Sequence, residues 1–583
     1  MTSSKVTTVN NLGPLTVVGR WCLLLVIGIV ICPLSASAQA VQTQVNSTSQ
    51  PVKSANVQNV DTLVFCPQPF QVALTPWLDY RRQQGHRIQV LAPRPTAVEL
   101  KQQIAAAAAN NSLAHLVLVG DAYDRKANPK HLVPTEYVLS RATFKLGAEP
   151  DIATDNPFAD LDGDGLPDLS VGRIPVDSAS ELTQFIQRVI AYETKSGNAI
   201  RPSQVKDRRR TTNSDTPWQT RMNLVAGVGG FGKLADQLIE QVAKKVITQM
   251  VPDSLNTSMT YGSWSSPYCP NPERFSETAI ERFNEGCLFW VYIGHGERCR
   301  LDQVHMPDKS HVILDESKIQ QVNCRLGNPI AVFLACYTNA YDGDRDCLGE
   351  LMLKQKNGPI AAIGGSRVTM PAGMGLLSMA MLDEYFEGSA QTLGEVILKA
   401  KLEMIGGQRK FNNYRELIES LSATMLPGQA FEDECADHLQ LMQLLGDPLL
   451  RVKRPQKIQL SVPESATTGG TINISGTSAS ATHQETGALQ ISVRYQRDRT
   501  KNRFKRRRKF TSTPTELNKF QVAYDQARDL TCVQQTATMT EGKFNAVIKL
   551  PEFAHGDCVI TCTMRQGNNV LVGSAKINIK KTK

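Results

Sequence analysis

Two apolar runs of strand length, each ending on a chemically capable side chain, set the frame of this chain: Cys287-Leu-Phe-Trp-Val-Tyr-Ile-Gly-His295-Gly296 and Pro329-Ile-Ala-Val-Phe-Leu-Ala-Cys336. A run that is apolar on both faces predicts a strand buried in the middle of a parallel sheet. In open α/β sheets, ligands bind beyond the carboxyl ends of such strands. A histidine and a cysteine placed there form a candidate proton shuttle and nucleophile. Each also has an ordinary reading. A cysteine after an apolar run serves as a small buried hydrophobe, and a lone histidine as a satisfied polar group.

The surrounding sequence supports the parallel sheet. Asp61–Cys66, Gly85–Leu91 and His115–Asp121 read as strands, with helical stretches at Val72–Gln84 and Ala97–Ala109 between them. Such alternation implies right-handed crossovers. Glu181–Glu193 is an amphipathic helix, and the charged, Pro/Ser/Thr-rich stretch Arg201–Thr216 reads as a connection between domains. The alternation restarts at Asn223, passes through the His295 and Cys336 strands and Pro359–Ile363, and becomes mostly helical as far as Leu445. After Val452 come short alternating segments separated by polar turns, the pattern of an all-β sandwich. A chain of 583 residues exceeds what one hydrophobic core fills. The expectation is therefore an α/β region in two parts, residues 61–205 and 216–452, followed by a β-sandwich over 456–583.

The first 38 residues carry only Lys5 and Arg20 as charges, an apolar run Trp21–Cys32, and small residues at Ala36-Ser37-Ala38. This is the pattern of a secretory signal peptide, with residues 39–60 as a linker or short pro-segment. It predicts a secreted, periplasmic or cell-envelope protein. Removing Cys22 and Cys32 with the leader leaves an odd number of cysteines, so at least one thiol stays unpaired. The formal net charge of +9 also has an address: Arg497–Lys509 (RDRTKNRFKRRRK) holds nearly all of it. The segment lacks the interleaved aromatics of a nucleic-acid surface, so no nucleic-acid partner is expected. It reads as a solvated hairpin loop, with attachment to an anionic envelope surface or processing as alternatives.

Peptide hydrolysis by a thiol needs a thiolate to attack the acyl carbon and an acid for the leaving amine. It also needs amide donors for the oxyanion. Cys336, His295 and the N–H groups of Gly296 and Cys336 supply these parts. The segments YIGHG and AVFLAC resemble the histidine and cysteine motifs of the gingipain-type cysteine peptidases, relatives of the caspases. Further landmarks follow in family order: the strand through Phe65, Leu118-Val-Gly-Asp121, Asp168-Leu-Ser-Val-Gly-Arg173-Ile-Pro, the strand between Gly358 and Gly365, and Leu445-Gly-Asp-Pro448. The resemblance spans roughly residues 60–452. It implies two caspase-like α/β subdomains, an immunoglobulin-like module behind them, and protein or peptide substrates.

Carried over position by position, the resemblance implies Cys336 as nucleophile, His295 as general acid/base and Gly296 as oxyanion donor. It implies Asp155 as an acidic floor for a basic side chain, with Ser366 and Arg367 of the loop Gly365–Pro371 lining the pocket. Arg367 either neutralises Asp155 or faces solvent. Asp155 also reads as a turn or helix-capping residue. Glu136 is the candidate carboxylate behind the histidine, or a plain surface glutamate. The chain departs from the commoner family pattern at Tyr337-Thr-Asn-Ala-Tyr-Asp, where a glycine-containing turn is usual. Basic specificity would make Arg208–Arg210 and Arg506–Arg508 candidate self-processing sites.

Two other constellations compete for attention. Asp160-Leu-Asp162-Gly-Asp164-Gly165-Leu-Pro-Asp168 places oxygen ligands at alternating positions around a glycine turn, as a calcium loop does. Val171 stands where a helix-loop-helix site needs glutamate, so the expectation is a structural calcium loop between strands or an Asp/Gly-rich turn. The dyad itself requires no cofactor. Gly227-Val-Gly-Gly-Phe-Gly232-Lys-Leu234 nearly fits nucleotide-binding glycine loops, but Leu234 stands where the magnesium-bound hydroxyl belongs. A tight strand-to-helix turn explains the same glycines. The reading from another class is a catalytically inactive binding or surface-attachment protein on a peptidase scaffold.

Overall fold

The computed structural model describes residues 59–123, 128–147, 149–194, 216–230, 233–406, 412–428, 430–479, 485–507, 509 and 511–582. The leader, most of the linker, Arg208–Arg210 and Arg508 lie outside the described residues. Apart from short two-stranded ribbons within residues 296–312, the strands described before residue 450 are β1 (Thr62–Phe65), β2 (Ile88–Leu91), β3 (His115–Val119), β4 (Glu136–Leu139), β5 (Asp151–Thr154), β6 (Ser170–Ile174), β7 (Arg221–Ala226), β8 (Asn256–Tyr261), β9 (Phe289–Ile293), β10 (Ile330–Leu334), β11 (Ala361–Gly365) and β12 (Met442–Gly446). Strands β4 and β5 form a separate two-stranded ribbon. The other ten make one sheet in the order β2-β1-β3-β6-β12-β11-β10-β9-β7-β8.

The apolar runs produce this sheet because both faces are covered. On β1 and β3, Val64, Val117 and Val119 join one hydrophobic cluster with Leu74 and Trp77 of the helix Gln71–Gln83. The alternate residues Leu63, Phe65, Leu116 and Leu118 join a second cluster with Leu100 and Ile104 of the helix Ala97–Ala108. Each strand residue is therefore buried whichever way it points.

The two α/β parts share one sheet, because β12 pairs in parallel with β6 through Leu445 and Arg173 and antiparallel with β11. The two parallel halves thus run in opposite directions within one continuous sheet. Strand β12 follows directly on the helix Phe431–Leu441, which hides it inside an apparently helical stretch.

Residues 456–580 form an eight-stranded, mostly antiparallel sheet around its own core of Ile472, Ile474, Leu489, Ile491, Ile560 and Leu571. The unexpected element here is a helix, Pro514–Arg528, between the strands Gly487–Tyr495 and Thr531–Met539. Its start signals are in the sequence: Thr513 caps the N–H of Glu516, and Pro514 occupies the first turn. Tyr524 bonds Thr260 of the edge strand β8 through their hydroxyls at 2.8 Å. The insertion therefore covers that edge.

The basic segment is correspondingly less solvated than expected. Arg497 donates to the carbonyls of Val251 at 2.6 Å and Leu255 at 3.0 Å, and Lys501 pairs with Asp529 at 2.7 Å. Arg507 stacks 4.0 Å above the Phe520 ring. Part of the positive charge is spent within the protein rather than offered to an anionic surface. No helix among the described residues is long and apolar enough to cross a membrane.

Candidate active site

Strands β9 and β10 are parallel neighbours in register, with Ile293 opposite Leu334. The Gly294 N–H donates to Leu334 O at 3.3 Å, one residue beyond the strand ends. His295 and Cys336 each lie two residues past these paired strand ends, beyond the carboxyl edge of the second half-sheet. Contact between the two segments is backbone to backbone. A Cβ on Gly296 would lie 2.6 Å from Cys336 O and 2.9 Å from the Ala335 Cβ, so only glycine permits the approach.

The histidine segment is pinned from behind. Buried Tyr292 donates its hydroxyl to His295 O at 2.8 Å and accepts the Asp302 N–H at 3.3 Å. Gly294 and Gly227 leave room for that hydroxyl; a Cβ on either would lie 2.7 Å or 2.9 Å from it. Replacing Tyr292→Phe removes both bonds, at about 1 kcal/mol each. The expected result is a fall in kcat of roughly tenfold, with KM nearly unchanged. Steady-state kinetics on a peptide substrate checks it.

Around Cys336 the donors come from the loop after β11, which sequence reasoning assigned only to the pocket wall. The Thr369 N–H points at Sγ from 3.4 Å and its hydroxyl from 3.7 Å. The segment after the cysteine turns sharply: Tyr337 has φ 57°, its N–H reaches Arg367 O at 3.0 Å, and the Asn339 N–H reaches Gly365 O at 3.0 Å. A left-handed conformation costs an ordinary residue about 1–2 kcal/mol. The tyrosine therefore stands where glycine would fit without strain. Its hydroxyl is held by Glu149 Oε2 at 2.6 Å, and Arg298 donates to Ala340 O farther along the same segment.

The pocket residues are corrected. Asp155 is 3% exposed, and its carboxylate is bound by Arg173 Nε at 2.8 Å and Nη2 at 2.7 Å, with the Thr135 hydroxyl at 2.9 Å. It is no open floor for a substrate cation, because its charge is already matched. Arg367 does not neutralise it either; Arg367 pairs with Asp342 at 2.8 Å and 2.5 Å. Burial alone would raise the Asp342 carboxyl, but the Arg367 guanidinium outweighs it and holds the group below its ordinary value. Ser366 is fully buried, with its hydroxyl unpartnered, so it lines no opening. Glu136 begins the β4–β5 ribbon opposite Thr154.

The glycine loop after β7 comes close to the histidine. In the glycine loop after β7, the Gly230 N–H donates to Asp236 Oδ1 at 3.0 Å, and a Cβ on Gly230 would lie 3.5 Å from His295 Nε2. A Cβ on Gly229 would sit 2.4 Å from the same Asp236 oxygen. Of the glycines that resembled a phosphate cradle, Gly230 lies beside the histidine, and its amide is taken by a carboxylate of the protein itself. Asp236 gave no local signal, being one acidic residue in the first turn of the helix Lys233–Lys245.

The acidic loop between β5 and β6 brings three of its four expected ligands together: one oxygen each of Asp160, Asp162 and Asp168 lie within 4.8 Å of one another. Asp164 stays exposed and accepts the Leu166 N–H at 2.8 Å. Three converging carboxylate oxygens fit a hard cation such as calcium.

Comparison with known proteins bears on this arrangement. The family model for Peptidase family C25 matches residues 55–453. Lys-gingipain of Porphyromonas gingivalis is 24% identical over 320 residues, 53% of this chain and 16% of that protein. Lys-gingipain HG66 of the same organism is 23% identical over 320 residues, again 16% of its length. The match thus spans about a sixth of these relatives. Among solved structures, one described as "Structure of Protease" covers 89% of this chain and 97% of its own, with 16% identity and a TM-score of 0.49.

Proposed function

The chain belongs to peptidase family C25, and from that premise we propose that it is a cysteine endopeptidase working through Cys336 and His295. The observation that supports the reading is the parallel register of β9 and β10, whose neighbouring ends lead into His295 and Cys336, with Gly296 against Cys336 O. The Cys336 thiolate attacks the scissile carbonyl carbon, and the carbonyl π electrons move to oxygen. The amides of Gly296 and Cys336 are placed to hold that oxyanion. His295 gives its proton to the leaving amine as the C–N bond breaks, then takes one from the water that hydrolyses the thioester.

A preference for lysine or arginine before the cleaved bond belongs to the same proposal, but with Asp236 rather than Asp155 as the acidic recognition group. Asp236 lies on the histidine side of the site, and the relatives named Lys-gingipain accord with a basic preference. Sequencing the products cut from a random peptide pool tests activity and preference together. Asp236→Asn is expected to lower kcat/KM about 10²-fold for peptides cut after Lys or Arg, in line with the loss of one charge partner, and to leave cleavage after neutral residues unchanged. An equal loss on all peptides would remove Asp236 from recognition. Export through the leader, with cell-envelope association through the exposed part of 497–509, and a calcium-stabilised Asp160–Asp168 loop complete the reading.

A further inference from the structure

The loop that faces the Cys336 sulfur joins β11 to the helix Pro371–Glu387, and one structural unit fixes both of its ends. At its start, Gly365 pairs with Met442 and the Ser366 N–H donates to Leu441 O at 3.0 Å. At its end, the Met370 N–H donates to Nε2 of His438 at 2.9 Å. His438, Leu441 and Met442 all belong to the helix Phe431–Leu441 and the strand β12 that continues it.

His438 is fully buried, and its Nδ1 lies 2.7 Å from Glu434 O one turn earlier in the same helix. A carbonyl only accepts and an amide N–H only donates. These two partners therefore fix the ring as the neutral tautomer with its proton on Nδ1. The ring packs closely against Gly373, where a Cβ would lie 2.4 Å from Nδ1. Glu434 holds the same helix start by accepting the Gly373 N–H on Oε1 at 2.8 Å, while the Ser422 hydroxyl donates to its Oε2.

The Nε2 lone pair has a narrower consequence. The Met370 N–H that it binds shares a planar peptide unit with Thr369 O, and that carbonyl lies 3.6 Å from Cys336 Sγ. In a planar trans unit, fixing the N–H fixes the carbonyl as well. The N–H and hydroxyl of Thr369, at 3.4 Å and 3.7 Å from Sγ, belong to the residue just before that bond. We propose that His438 is a positioning residue for the nucleophile, orienting the Thr369–Met370 peptide so that the three polar groups of Thr369 aim the Cys336 sulfur. The inference rests on the Cys336 mechanism proposed above, and His438 takes no part in proton transfer.

The test compares full-length His438→Leu, His438→Gln and Thr369→Val proteins with the parent chain. It reads peptide hydrolysis, thermal melting, and the rate at which iodoacetamide alkylates Cys336, followed by mass spectrometry. His438→Leu removes the acceptor at similar volume. Its kcat is expected to fall about 10²-fold with KM within about twofold, since misplacing the reacting atom acts on the transition state. Alkylation of Cys336 is expected to slow about tenfold. Glutamine offers an amide oxygen at comparable reach, so His438→Gln recovers most of both losses. Thr369→Val slows alkylation severalfold and adds little to His438→Leu, because the two act through one contact. Parent-like kcat and alkylation in folded His438→Leu overturn the proposal, as does an equal loss in the Leu and Gln variants. If His438→Leu does not fold, unchanged alkylation in Thr369→Val overturns it. A parent chain that is alkylated at Cys336 but hydrolyses no peptide refutes the peptidase reading instead, while the alkylation rates still report on the sulfur's placement.

Discussion

Cys336→Ala is expected to lower kcat/KM for peptide hydrolysis by about 10⁴-fold or more, the usual consequence of removing a catalytic nucleophile. The substitution deletes one half-buried sulfur whose contacts are the amide, hydroxyl and carbonyl of Thr369. Those groups keep their positions because the loop is fixed by Tyr337, Asn339 and the β11 backbone. Stability is therefore expected to change by less than about 1 kcal/mol. A chromogenic peptide assay beside a circular-dichroism melt separates the two effects. Undiminished hydrolysis by the folded variant contradicts the mechanism, whereas loss of both activity and fold would make Cys336 a packing residue.

The second large effect is on stability and concerns Asp155. Arg173 is fully buried, and Asp155 is its charge partner. Asp155→Asn keeps the shape and some hydrogen bonding but leaves a guanidinium without a counter-charge in the interior. Breaking a buried pair from one side typically costs about 3–5 kcal/mol. A denaturant titration is expected to show a loss of this order, with cleavage preference unchanged in the protein that remains folded. Replacing both members with apolar residues of similar volume should recover much of the loss, since the cost lies in the unpaired charge. A fully stable Asp155→Asn protein with a lost preference for basic side chains would instead return Asp155 to the substrate pocket.

The legible parts of this molecule were those written in continuous local patterns. The runs ending at His295 and Cys336 read as central strands, and β9 and β10 are parallel neighbours in the sheet. The strand β12 was hidden because five residues after a helix, with Gln443 among them, carry no distinct period. Yet that strand is what merges two parallel halves into one sheet. Charge partners were hidden for a different reason. Asp155 follows one strand and Arg173 stands on another, Arg367 finds Asp342 rather than Asp155, and Asp236 reaches the Gly230 amide only through the folding of the glycine loop. A sequence shows that a carboxylate is present but not which cation reaches it. The helix Pro514–Arg528 was signalled by Thr513, Pro514 and Glu516 and was obscured by the strands on either side.

The central claim is that Cys336 is the one thiol activated for acyl transfer. Of the cysteines among the described residues, only Cys299 and Cys336 are more than marginally exposed. Burial pushes the thiols of Cys66, Cys269, Cys324, Cys435 and Cys562 up to about 12. Burial also raises that of Cys299. The decisive measurement is mass-spectrometric mapping of the adduct formed with a peptidyl chloromethyl ketone that carries lysine next to the reactive carbon. A single adduct on Cys336, formed rapidly by the intact protein and lost in His295→Ala, is the predicted result. An adduct on Cys299, or labelling of Cys336 that is indifferent to His295, would contradict the account.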